Sequence, residues 1–215
     1  VAPSKWLKTR LEKSLLKGKE TTLIYNGVDE TVFVDHDKRE ARRLLQLPED
    51  GHILLFAALG GLGHRTKGGH LVRPIMERLS WKDVLAICIG GAGFDVENTR
   101  TLPYVKDERL LALYYSAADL FIYPSLADNC PLVVLESLSC GTPVISFDTG
   151  GIPELVKHME TGYVAQYKNI TDLGNGIEFF LGNPSALETA SREARLSVLR
   201  QFTLQTMVDK HLELY

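Results

Sequence analysis

The chain has 215 residues, 45% hydrophobic and 24% charged, the balance of a soluble globular protein of one large domain or one and a half small ones. Its net charge of −3 offers nucleic acid no global attraction, and its longest apolar runs, about eight residues, fall well short of the ~20 that a membrane-spanning helix needs. Cys88, Cys130 and Cys140 form no CxxC pair and show no metal spacing, so they read as the reduced thiols of a cytoplasmic protein.

The chain opens on Val1 without a signal peptide and reads as an excised or processed piece. Residues 1–19 hold Lys5, Lys8, Arg10, Lys13, Lys17 and Lys19 against one acid, Glu12, and Leu7, Leu11 and Leu15 recur every four residues. That spacing predicts an amphipathic helix with Ser4 as its N-cap. It suits a linker helix with a solvated basic face, or a helix lying on an anionic membrane. "TTLIY" (21–25) predicts a short strand closed by Asn26-Gly27, and 37–48 a helix ending before Pro48. "HILLFAAL" (52–59) is a continuous apolar run, as expected of a strand buried on both faces. A glycine-rich loop (60–69) and a helix to about Leu79 follow. Next come a second buried strand (83–90), the turn "GAG", a weak strand near 102–105 and a helix over 108–117. Strands at 119–123, 143–147 and 162–166 alternate with helices at 131–139 and 150–156, and helices near 171–182, 185–201 and 203–215 close the chain.

Strands separated by helices imply crossover connections, and so a Rossmann-like, doubly wound parallel sheet with helices on both faces. The expected division is a linker segment over 1–20, the sheet domain over 21–200 and a C-terminal helix over 201–215. Ligands of such sheets sit beyond the carboxyl ends of the strands. The unusual polar stretches lie there, at 60–69, 90–93, 104–107, 124–131 and 148–154.

In "PSLADNCPLVVLESLSCG" (124–141) a strand runs into Asp128-Asn129, and an almost wholly apolar helix follows that carries Glu136. Pro131 suits the first helical position, and the free N–H groups around 131–134 make an anion site at the positive end of the helix. Glu136, one to two turns deeper, could accept the hydroxyls of a ribose, and Asp128, beyond the phosphates, those of a second sugar. The spacing suits a nucleoside diphosphate sugar. Capping by Asp128 and Asn129, with Glu136 snorkelling or paired with a lysine, explains the same stretch taken alone. The loop "GGLGHRTKGGH" (60–70) tips the balance. Gly60 and Gly61 allow close backbone approach, and Arg65 and Lys67 supply phosphate-binding cations. It is not a P-loop. "GGAG" (90–93) reads as a tight turn, and "DTGGIPE" (148–154) as a second helix start with free N–H groups. The six histidines show no metal spacing.

Together these stretches resemble the C-terminal, donor-binding domain of retaining GT-B glycosyltransferases of family GT4. "PSKWL" and "IYNGVDETVF" resemble the segments around that family's interdomain crossing, and "KGG" its Lys-Gly loop. "SAADLFIYPSLADNCPLVVLESLSCGTPVISFDTGGIPELV" resembles its diagnostic E-x7-E, CGxPVI and GGxPE stretch. The resemblance implies that Lys67 and Arg65 hold the donor diphosphate and that Asp128 contacts the transferred sugar. It implies that Glu136 binds the ribose and that the backbone of Asn129, Cys130, Pro131 and Leu132, through its N–H groups apart from the proline's, cradles the phosphate. Tyr104, Val105 and Leu110 would line the nucleobase. It further implies transfer of a hexose-type sugar to a hydroxyl of a glycan or lipid-linked acceptor, in cell-surface polysaccharide biosynthesis. No cofactor and no metal are expected, no nucleic acid partner, and a missing N-terminal domain that carries the acceptor site. The expected location is the cytoplasm, or its membrane face. A sugar-nucleotide epimerase of the same architecture and a non-catalytic sugar-nucleotide-binding module are the rival readings. Two departures stand out. The first acid is Asp where the family has Glu, and Arg65 either replaces the family's arginine from a shifted position or leaves that role empty.

Overall fold

The computed structural model describes residues 1–79, 83–91 and 97–214. Six strands, β1 (His52–Ala57), β2 (Val84–Ile89), β3 (Thr99–Leu102), β4 (Leu120–Tyr123), β5 (Val144–Phe147) and β6 (Gly162–Ala165), form one sheet of order β3-β2-β1-β4-β5-β6. Every pairing is parallel. Nine helices among the described residues cover it: α1 (Lys5–Leu11), α2 (Lys38–Leu44), α3 (Val72–Arg78), α4 (Glu108–Ala117), α5 (Leu132–Ser139), α6 (Ile152–Leu155), α7 (Ile170–Gly182), α8 (Pro184–Gln201) and α9 (Leu204–Leu212). The open, doubly wound sheet is the fold class expected from the sequence.

Strands β4 and β5 are wholly buried, and β1 is buried from Ile53 to Ala57. Their apolar runs are what a sheet covered on both faces requires. Edge strand β3 reads "TRTL" and is only half-buried, so its hydrophobic signal is weak and the strand lies earlier than the 102–105 expected. The segment 21–25 is no sheet strand. Its backbone pairs with Ala2 instead, through Ala2 N–H to Thr22 O at 2.8 Å and Ile24 N–H to Ala2 O at 3.0 Å. Helix α1 has Ser4 as its N-cap, as expected, but ends at Leu11, short of Leu15. Helix α2 stops at Leu44, short of Pro48, before Gln46 takes a positive φ of 52°. Pro131 is extended (ψ 123°) and stands at the N-cap of α5 rather than its first turn. Positions 92 and 93 of "GGAG", and Tyr215 of the expected last helix, lie outside the described residues.

A buried ion cluster fastens α2 to the amino ends of β1 and β4. Asp119 accepts from Lys38 Nζ at 2.7 Å, Arg42 at 2.8 Å and Ile53 N–H at 2.8 Å, while Arg42 also donates to Ala117 O, Glu49 O and Gly51 O. Burial would raise the Asp119 carboxyl, but Lys38 and Arg42 hold it below the usual carboxylate range. Removing one member strands a buried charge, which costs about 3–5 kcal/mol. Urea denaturation should therefore find Asp119→Ala destabilised on that scale, with Lys38→Ala, whose side chain is 41% exposed, costing much less. Equal costs would contradict a buried Arg42–Asp119 anchor.

Candidate functional site

Strand order reverses between β1 and β4, which are neighbours through Leu54–Leu120 and Leu55–Phe121. The loops leaving their carboxyl ends, 58–71 and 124–131, diverge there and leave the crevice where doubly wound sheets bind ligands. Leu126 N–H to Thr66 O at 2.8 Å and Ser125 Oγ to Thr66 O at 3.3 Å stitch the two loops together. Gly68, with φ of 78°, makes this approach possible. A Cβ there would lie 2.0 Å from Pro124 O.

The stitching sets Lys67 beside Asp128. Lys67 Nζ is ion-paired with Asp128 Oδ2 and lies 3.1 Å from Tyr123 OH, which itself donates to Asp128 Oδ2. Burial, and then the Asp128 charge, raise the Tyr123 phenol well above its ordinary value, so its proton stays available to the carboxylate. The other Asp128 oxygen accepts the Asn129 N–H at 2.8 Å. Asp128, expected beyond the phosphates and toward a second sugar, is here ion-paired with Lys67 and neutralises it. The Asp128 carbonyl is in turn pressed by Gly150, whose φ is 59° and whose added Cβ would lie 1.6 Å away, so the 148–154 turn packs directly on this loop.

Among the backbone donors the expectation needs correction. The Asn129 N–H is taken by Asp128, and Pro131, already excepted, has no N–H. The Gly60 and Gly61 N–H groups are also engaged, to Gly90 O at 2.9 Å and Ala58 O at 2.8 Å, so these glycines offer approach rather than donors. The first N–H groups of α5, at Leu132 and Val133, have no intrahelical acceptor and lie at the positive end of that helix. Arg65 is exposed on the same loop as Lys67, and its side chain makes no hydrogen bond or ion pair among the described residues. Cys130 is buried, and burial pushes its thiol up to about 11, which favours the neutral thiol at neutral pH.

Glu136, on α5, neither snorkels nor meets a lysine. Its Oε2 accepts from Tyr115 OH at 3.0 Å. Burial raises its carboxyl from 4.5 to about 7, Tyr115 opposes the rise, and the Glu108 charge adds to it. One bond leaves most of this carboxylate's accepting capacity open. At the start of α4, Tyr104 and Leu110 are 58% and 38% exposed, while Val105 packs half-buried on the core.

Two features here have roles that the sequence did not indicate. Tyr115 and Tyr123 sit inside apolar runs, and only the fold aims their hydroxyls at the two acids. Glu154, in the "GGIPE" turn, accepts Lys5 N–H, Trp6 N–H and Tyr25 OH, each at 2.8 Å. Ser4 Oγ donates to Asn129, and Asn26 Nδ2 donates to Cys130 O at 2.9 Å. The segments 1–7 and 21–28 are thereby fastened to the loops that form the crevice. His64 is part of the loop's frame, its Nδ1 accepting the Lys67 N–H at 3.2 Å.

A doubly wound parallel sheet with a cation, a helix N-terminus and two carboxylates near its switch point defines a domain of the Rossmann-like class. Residues 95–197 match the family model described as glycosyl transferases group 1. The chain is 27% identical to D-inositol 3-phosphate glycosyltransferase 1 of Catenulispora acidiphila, over 89% of this chain and 50% of that protein. Sucrose-phosphate synthase of Thermosynechococcus elongatus superposes on the whole chain with a TM-score of 0.88 at 25% identity, over 56% of its own length. HepE of Anabaena, solved with UDP, superposes with a TM-score of 0.85 at 21% identity, over 99% of this chain and 62% of that one. The matched stretch and the fold make this chain similar to the C-terminal domain of GT-B glycosyltransferases of a GT4-like family. The chain spans about half the length of the curated relatives it matches over most of its own length.

Proposed function

We propose that this chain is the donor-binding half of a retaining glycosyltransferase that moves a hexose-type sugar from a nucleoside diphosphate to a hydroxyl of a glycan or lipid-linked acceptor. The observation that carries the reading is the convergence of Lys67, Asp128 and the α5 N-terminus outside β1 and β4. Lys67 and the first N–H groups of α5 receive the diphosphate and stabilise its charge as it leaves, a role that preorganised donors fill well. Asp128, released from Lys67 and still held by Tyr123, turns to the hydroxyls of the transferred sugar. Glu136 accepts the ribose diol, Tyr104 and Leu110 flank the base, and Arg65 reaches the phosphates from the loop tip. No divalent cation is needed. The three free cysteines favour the cytoplasm. The relatives' glycosyltransferase names favour transfer over epimerisation or bare binding, and the HepE complexes with UDP and UDP-glucose make uridine donors the first to try.

A thermal-shift screen of UDP, GDP and ADP and their sugars, with EDTA or magnesium, tests this. One nucleotide should stabilise the chain, by about 2.7 kcal/mol at a hundred times its Kd, equally in EDTA, with no sugar transferred to water or acceptor. No stabilisation by any nucleotide, or stabilisation that EDTA abolishes and magnesium restores, would overturn it.

A further inference from the structure

We infer that residues 8–19 form a docking patch for an anionic lipid surface. Six cations against one acid give residues 1–19 a net charge of +5, which leaves −8 on the other 196 residues. The molecule is thus strongly polarised, with its positive pole confined to one short segment. None of the six cations is in an ion pair among the described residues. The apolar stripe of this segment divides. Leu7 and Leu11 are half-buried, whereas Leu15 is 105% exposed and Leu16 55%, in the turns after α1 and between Lys13, Lys17 and Lys19 in the chain. Two adjacent exposed leucines, flanked in the chain by exposed lysines, match a bilayer surface in both its parts: acyl chains below and phosphates around. Nucleic acid would leave the leucines unexplained. A protein groove would need acids to meet every lysine.

The patch is also held at a set place. Ser4, Lys5 and Trp6, at the start of α1, are hydrogen-bonded to Asn129 and Glu154 of the crevice loops, and the seven residues of α1 span only about 10 Å. Docking through 8–19 would therefore hold the mouth of the crevice near the bilayer, where a lipid-linked acceptor would be. The docking itself does not depend on the donor reading; its use in bringing the crevice to a lipid-linked acceptor rests on that reading.

Co-sedimentation with vesicles tests the proposal, using phosphatidylcholine alone and with a third of the lipid replaced by phosphatidylglycerol. Binding is expected only to the anionic vesicles and should fall steeply with salt. K13Q/K17Q/K19Q should lower the partition coefficient by more than about tenfold, since each basic residue near such a surface contributes about a factor of five. L15S/L16S should lower it with less change in salt dependence. Both variants should keep the wild-type melting temperature and its response to UDP, which separates failure of docking from failure of the fold or of the donor reading. Absence of binding to anionic vesicles, equal binding to both vesicle types, wild-type binding by K13Q/K17Q/K19Q, or displacement of bound vesicles by an equimolar RNA duplex would each overturn it.

Discussion

Replacing Lys67 with alanine should weaken binding of a nucleoside diphosphate by about ten- to hundredfold, the value of a hydrogen bond to a charged group. Two effects act together. The phosphate loses its cation, and Asp128, whose side chain is only 14% exposed, loses the charge that neutralises it and becomes a repulsive anion at the phosphate seat. The second effect makes the loss partly reversible. Lys67→Ala/Asp128→Asn should recover part of the affinity, because the repulsion goes with the carboxylate. Calorimetry on the two variants decides the matter, and a double variant as weak as Lys67→Ala would mean that Asp128 does not face the phosphate.

Glu136→Gln should make the ligand-free chain more stable at pH 8, although it removes a binding group. The folded carboxyl titrates near 7, against an ordinary 4.5, chiefly because it is buried. Between those values the folded state holds a proton that the unfolded state has lost. Ionisation of Glu136 therefore withdraws stability progressively as pH rises from about 4.5, and the loss is complete above about 7. Allowing for its partial exposure, the neutral amide should return on the order of 1–3 kcal/mol at pH 8, or about 2–4 °C of melting temperature for each kcal/mol. At pH 4 the two proteins should melt alike. A Glu136→Gln chain no more stable than wild type at pH 8 would show that this carboxylate is already satisfied without ligand.

The fold was legible wherever burial imposed a pattern. The runs at 52–57, 84–89, 120–123 and 144–147 are apolar because both faces of the sheet are covered, and they fall within the strands read from them. Pattern failed at the margins. "TTLIY" has strand chemistry, but its hydrogen bonds go to Ala2, a partner that no local signal reveals. Edge strand β3 has too little burial to leave an apolar signature. The crevice was legible as a set of residues, since Lys67, Asp128 and Glu136 are charges after strands or inside an apolar helix. Their pairing was not legible. That Asp128 closes on Lys67 follows from the contact between Gly68 and Pro124, and that Glu136 leans on Tyr115 follows from α4 lying beside α5.

Calorimetric titration of wild type, Glu136→Gln and Asp128→Asn, each with bare nucleoside diphosphate and with the intact nucleotide sugar, tests the site assignment most directly. Glu136→Gln should weaken both ligands alike, by about ten- to hundredfold, and donor affinity should rise with pH through about 7 in wild type only. Asp128→Asn should lose affinity for the nucleotide sugar alone, with bare diphosphate bound at least as tightly as by wild type because Lys67 is released. If Glu136→Gln binds both ligands as wild type does, Glu136 is a buried structural carboxylate and the crevice between β1 and β4 is not a ribose site.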